Sequence, residues 1–169
     1  MAEIKLRFVT ESDPVSGMIR FFTDFPYSHV EFVLDADWEP YLKDCPMPTL
    51  AVGDYGALGA RLNGGIRIRP SDYAKFTAIE LVTVECTDAQ KAAVMKDAVS
   101  SIGSGYDVID ICGIVFKQNW HEKFHEICSV FCTQKLNNNG LTALRVTDKY
   151  LPSITPRDLY LSPLFKKLS

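Results

Sequence analysis

Asn63-Gly64-Gly65, set between Gly59-Ala60-Arg61-Leu62 and Ile66-Arg67-Ile68-Arg69, is the feature that most narrows the folds open to this chain. Asn-Gly accepts the positive φ of a tight hairpin turn, and Ile66 to Arg69 alternates apolar and polar as a half-buried strand does. A hairpin imposes antiparallel pairing, because parallel strands need a crossover of a dozen or more residues. Three further segments share the period of two. Ile4, Leu6 and Phe8 alternate with Lys5 and Arg7; Val30, Phe32 and Leu34 alternate with His29, Glu31 and Val33; and Thr77 to Glu85 repeats the pattern.

Helical spacing lies between these strands. Ser12-Asp13-Pro14 supplies a cap and a proline start, with Val15, Met18, Ile19 and Phe22 following over 14–23. Ala92, Met95, Val99 and Ile102 recur over 88–102, ahead of Gly103-Ser104-Gly105, and a third helix carries Val130, Phe131 and Leu136 and closes at Gly140. Residues 35–56, with Pro40, Pro46, Pro48 and Gly53, read as a long surface connection of the kind that serves as a binding loop or lid. Tyr106 to Phe116 is a buried segment of either type, 117–127 is irregular, and the tail from Leu151 to Pro163 is expected as coil or short turns, with a candidate strand near Val146. The expectation is a single α+β domain over 1–169 with an antiparallel sheet.

With 47% hydrophobic residues and 23% charged, the chain has ample apolar matter for a core and too few charges for disorder. Its net charge of −3, without a basic run, argues against nucleic acid or an anionic membrane surface as the main partner. Five cysteines are an odd number, and Met1 to Phe8 holds no apolar stretch of signal-peptide length, so reduced thiols in a cytoplasmic protein are expected. The longest apolar run, Val108 to Phe116, is interrupted by Asp110 and falls well short of the ~20 residues of a membrane span.

Candidate chemistry centres on Cys128 in Glu126-Ile127-Cys128-Ser129-Val130-Phe131-Cys132. A thiol at the start of a helix meets unpaired N–H groups and the positive end of the dipole, which favour a nucleophilic thiolate. The alternative is that Cys128 and Cys132 are small buried hydrophobes. Only His29, His121 and His125 are available as an imidazole base. His29 is the best placed, on a strand with Glu31 two residues on and therefore on the same face.

Ser28-His29-Val30-Glu31, Leu58 to Pro70, Gly103-Ser104-Gly105-Tyr106-Asp107 and Ile127-Cys128-Ser129 together resemble the circularly permuted branch of the papain-like NlpC superfamily, the YiiX-like proteins. There the histidine strand precedes the nucleophile helix, and the likeness in element order covers nearly the whole chain. The resemblance implies Cys128 as nucleophile and His29 as base. Val130 stands where the family motif often has Glu, and Gly59 stands near the place where many relatives carry a polar third member, so the orienting residue is open. Glu31 is its candidate on strand geometry, against an exposed strand acid. Tyr27, on the same face, is a candidate to line the cleft or to donate to an oxyanion, as is the backbone N–H of Cys128. Arg67 and Arg69 share a face of the hairpin and suit a substrate carboxylate, against a solvated basic surface.

A rival constellation, His121, His125, Cys128 and Cys132, has metal-ligand residue types. On one continuous helix its first and last members would stand about 16 Å apart, too far for a closed four-ligand site. Asp107 and Asp110 read as helix caps rather than catalytic acids. The expectation is a cysteine hydrolase, peptidase- or amidase-like or an acyl-transfer enzyme, working through a covalent acyl-enzyme on a peptide, small-molecule or lipid-amide substrate with no cofactor. The alternatives are a non-catalytic binding module on the same fold, and a metal or thiol-redox protein.

Overall fold

The computed structural model describes residues 1–61, 64–103, 127–147 and 150–168. The expectations for Leu62 and Asn63, for Ser104 and Gly105, for Tyr106 to Phe116 with Asp107 and Asp110, for the irregular stretch up to 126, and for His121 and His125 lie outside these residues. In chain order the described elements are β1 (Ala2–Glu11), α1 (Pro14–Thr23), β2 (His29–Val33), a 3-10 turn (Ala36–Trp38), α2 (Glu39–Leu42), β3 (Ala57–Arg61), β4 (Gly65–Arg69), β5 (Phe76–Cys86), α3 (Asp88–Ser100) and α4 (Ile127–Asn138). A 3-10 turn (Leu151–Ser153), α5 (Pro156–Tyr160) and β6 (Phe165–Lys167) follow.

The strands form one six-stranded sheet in the order β4-β3-β2-β1-β5-β6, antiparallel at every pairing. The fold is therefore α+β with an antiparallel sheet. At the hairpin, Gly64 and Gly65 take φ of 107° and 65°, values that side-chain-bearing residues rarely adopt. Alternation along the strands collects Ile4, Leu6, Phe8, Val30, Phe32, Leu58, Ile66, Ile68, Val82 and Val84 into the buried core. The helices complete it through Val94, Met95 and Ala98 of α3 and Phe131, Cys132 and Leu136 of α4. Phe32 is the junction, with the rings of Trp38 and Phe131 each 5.9 Å away. The start of α3 is fixed by a capping box: Thr87 accepts from the Gln90 amide, and Gln90 returns a bond to the Thr87 backbone.

Two expectations differ in detail. The connection after β2 is less loose than its prolines suggest, because the Asp35 carboxylate caps the turn that drives Trp38 and Leu42 into the core. In the tail, Val146 is not in a strand; the additional strand is β6, pairing with β5 at Val82 to Val84, and Thr155 caps a short helix before it. No helix among the described residues is long and apolar enough to cross a membrane.

Candidate active site

Strand parity places His29 and Glu31 on one face of β2, and register sets Arg7 of β1 directly opposite Glu31. Glu31 is fully buried and Arg7 is only 5% exposed. A buried carboxylate is costly unless its oxygens are matched by charge and hydrogen bonds, and here both are. Arg7 reaches Oε1 with Nε at 2.8 Å and Nη2 at 2.7 Å. The second oxygen, Oε2, lies 3.4 Å from His29 Nε2 and accepts from the Tyr73 hydroxyl at 3.3 Å. The His29 contact is an ion pair rather than an aligned hydrogen bond.

Cys128 comes to His29 from the other side, through a break in the β2–β3 ladder. Pairing of these strands is confined to Phe32↔Leu58 and Val33↔Ala57, with the Leu34 N–H donating to Gly56 O at 3.0 Å. Backbone alternation turns the N–H and C=O of Val30 to the same side as those of Leu34, beyond the end of the ladder. Both groups face α4. The Val30 N–H lies near the Cys128 sulfur and favours its thiolate, and the Cys132 thiol donates to Val30 O at 4.0 Å. The Cys128 sulfur also lies near the Ser129 N–H and the His29 ring, close enough for each to favour its thiolate.

The electrostatics follow from these contacts. Burial by itself lowers the affinity of His29 for a proton, but Cys128, followed by Glu31, outweighs it and pushes the imidazole up to about 10. Burial raises the Cys128 thiol, yet the His29 charge and hydrogen bond, together with the Val30 and Ser129 amides, bring it below its ordinary value. Burial opposes ionisation of Glu31 as well, and His29 and Arg7 overcome it and hold the carboxyl low. These contacts favour charge on both members of the pair, a thiolate on Cys128 and an imidazolium on His29, beside a carboxylate on Glu31. Cys132, one turn along α4, is pushed in the opposite sense by burial and by the negative charges of Cys128 and Glu31.

Gly59 explains why no polar side chain arrives from β3. A Cβ there would fall 3.5 Å from His29 Nε2, 3.2 Å from Glu31 Oε2 and 2.8 Å from Glu31 Cβ. The space beside the ring is therefore filled by Glu31 from the histidine's own strand.

Cys128, His29 and Glu31 are thus brought together, whereas the other candidate residues are engaged elsewhere. The Tyr27 hydroxyl donates to Glu80 at 2.6 Å, and its ring packs with Phe8, Phe25 and Tyr160. Arg69 donates to the carbonyls of Gly59, Arg67 and Gly65, which ties it to its own hairpin, and Arg67 is exposed. Of the metal constellation, Cys128 and Cys132 are described, with their sulfurs directed as above. Among the described residues no three His, Cys, Asp or Glu side chains are grouped as metal ligands.

Arg7 and Tyr73 went unseen in the sequence. Arg7 carries the same alternation signal as Lys5, and only strand register distinguishes the cation opposite Glu31 from its neighbour. Tyr73 lies between β4 and β5, where no periodicity marks it. No protein-family model matches the chain, and no curated protein matches it either.

Proposed function

We propose that the protein is a cysteine hydrolase of peptidase or amidase type, of the permuted papain-like kind, acting through a covalent acyl-enzyme. The observation that carries this reading is the burial of Cys128 beside His29, each favouring the charged form of the other, with the Glu31 carboxylate 3.4 Å from the ring. The occurrence of His29 before Cys128, on an antiparallel sheet and its packed helix respectively, supports the permuted order.

The Cys128 thiolate attacks the carbonyl carbon of an amide or ester. His29 gives its proton to the leaving amine or alcohol as the tetrahedral intermediate collapses to a thioester. The ring, now neutral, takes a proton from water. The resulting hydroxide attacks the thioester, releasing the acid and restoring the thiolate–imidazolium pair. An amine in place of water gives acyl transfer. Glu31 holds the ring and favours its cationic form throughout. Peptides, small amides and lipid amides all meet these requirements, no cofactor is needed, and free thiols at Cys45, Cys86, Cys128 and Cys132 suit a reducing compartment such as the cytoplasm.

Intact-mass analysis after incubation with a panel of activated acyl esters tests this reading. An acyl adduct on Cys128, absent from Cys128→Ser and persisting longer in His29→Ala, is expected. Absence of any Cys128 adduct across short-chain, long-chain and aminoacyl esters would sink the proposal.

A further inference from the structure

We propose that Arg7 is the positioning residue of this site: by occupying one oxygen of Glu31 it leaves the other for His29 and so sustains the Cys128–His29 ion pair. The inference rests on the hydrolase reading and adds to it the group that acts through Glu31.

Three observations carry it. The first is the division of the carboxylate. Arg7 Nε and Nη2 both go to Oε1, and Oε2 is left to His29 and Tyr73. The second is that Arg7 is itself immobilised. Its Nη1 donates to Ser71 O at 2.8 Å, and its guanidinium lies 5.0 Å from the Phe76 ring centre and 5.9 Å from that of Tyr73. A guanidinium fork meets all of these partners at once, which a single ammonium cannot do. The third is the order of charge. Cys128, His29, Glu31 and Arg7 alternate in sign, so the buried set is neutral only with Arg7 present. Without it, a proton on Glu31 or on Cys128 is the least costly way to restore neutrality, and either one dissolves the ion pair.

Among the described residues the neighbouring charged and titratable groups do not replace it. Arg61 of β3 is paired with Glu11 of β1 and donates to Tyr73. Arg69 of β4 acts on Glu31 through its charge alone, its guanidinium donating to the carbonyls of Gly59 and Gly65 rather than to the carboxylate. Asp54, near Arg7, binds the Ser71 amide and the Gly56 amide, each at 2.8 Å. From α4 only Cys128 and Cys132 face the site, and neither is a cation. Burial and the Glu31 charge raise the Tyr73 hydroxyl, which stays neutral.

The test is the pH profile of Cys128 alkylation by iodoacetamide, read by peptide mass spectrometry on the full chain, with far-UV melts confirming that each variant is folded. Arg7→Gln is expected to move the thiol midpoint upward, slowing alkylation near neutral pH roughly tenfold for each unit of midpoint shift, with the wild-type rate recovered at high pH. Arg7→Lys restores part of the loss. Because Arg7 acts through Glu31, Arg7→Gln/Glu31→Gln should match Glu31→Gln alone. That comparison decides the matter even where the single Arg7→Gln variant does not fold. Superimposable wild-type and Arg7→Gln profiles in folded protein would overturn the inference, as would a further shift in the double variant. If wild-type Cys128 titrates as an ordinary thiol, the hydrolase reading falls first and takes this one with it; a depressed wild-type midpoint unmoved by Arg7→Gln removes the role of Arg7 alone.

Discussion

Gly59 lies against Glu31 so closely that a Cβ added to the glycine would stand 2.8 Å from Glu31 Cβ, inside any tolerated contact. The clashing atom is next to the Glu31 backbone, so it cannot swing away as the end of a long side chain does. The site depends on a missing side chain as much as on those present.

Gly59→Ala is therefore expected to destabilise the protein by about 1–3 kcal/mol, the usual cost of overpacking a filled interior. Urea denaturation measures it. Displacement of Glu31 should also slow Cys128 alkylation at neutral pH. A variant as stable and as reactive as wild type would mean that the strand shifts freely and that the Glu31 position is not confined.

Cys128 should react with a thiol probe at pH 7 ahead of Cys45, Cys86 and Cys132. Burial pushes each of those three up, whereas the imidazole beside Cys128 draws it down. Peptide mapping after brief labelling reads the order directly. His29→Ala should abolish the preference, and equal labelling of all four would argue against an activated thiol.

The His29 ring should remain protonated well above its ordinary 6.5, with its transition near 10, as followed by the imidazole proton resonances. Cys128→Ser removes the leading group that raises it, so the transition should fall. For a raised pKa, the stability contributed by the ring's charge is fully present below pH 6.5 and is lost as the pH rises through about 10. Glu31 acts in the opposite sense: held below its ordinary 4.5, it contributes above that value and its share is lost on acidification. A His29 resonance that titrates near 6.5 in wild type would show that the thiolate and carboxylate are not coupled to the ring.

Local chemistry determined much of this molecule. The period-two runs at Ile4–Phe8, Val30–Leu34 and Thr77–Glu85 are strands because alternation is the only pattern that buries one face of an extended chain, and the glycines after Asn63 close the hairpin. The same parity made His29 and Glu31 neighbours before any tertiary contact was known. Helix starts at Pro14 and after Thr87 were equally local, set by caps and proline. What remained depended on which strands and helices came together. Arg7 meets Glu31 through the β1–β2 register, a property of two segments 24 residues apart. The β2–β3 ladder ends where Val30 turns its amide and carbonyl to α4, and that ending lets Cys128 reach His29 from 99 positions away. Trp38 was hidden in a proline-rich stretch, and β6 in a tail too short to show a period. Periodicity reports how a segment divides between core and solvent, whereas pairing partners and charge neighbours are fixed only when distant segments share one packed interior.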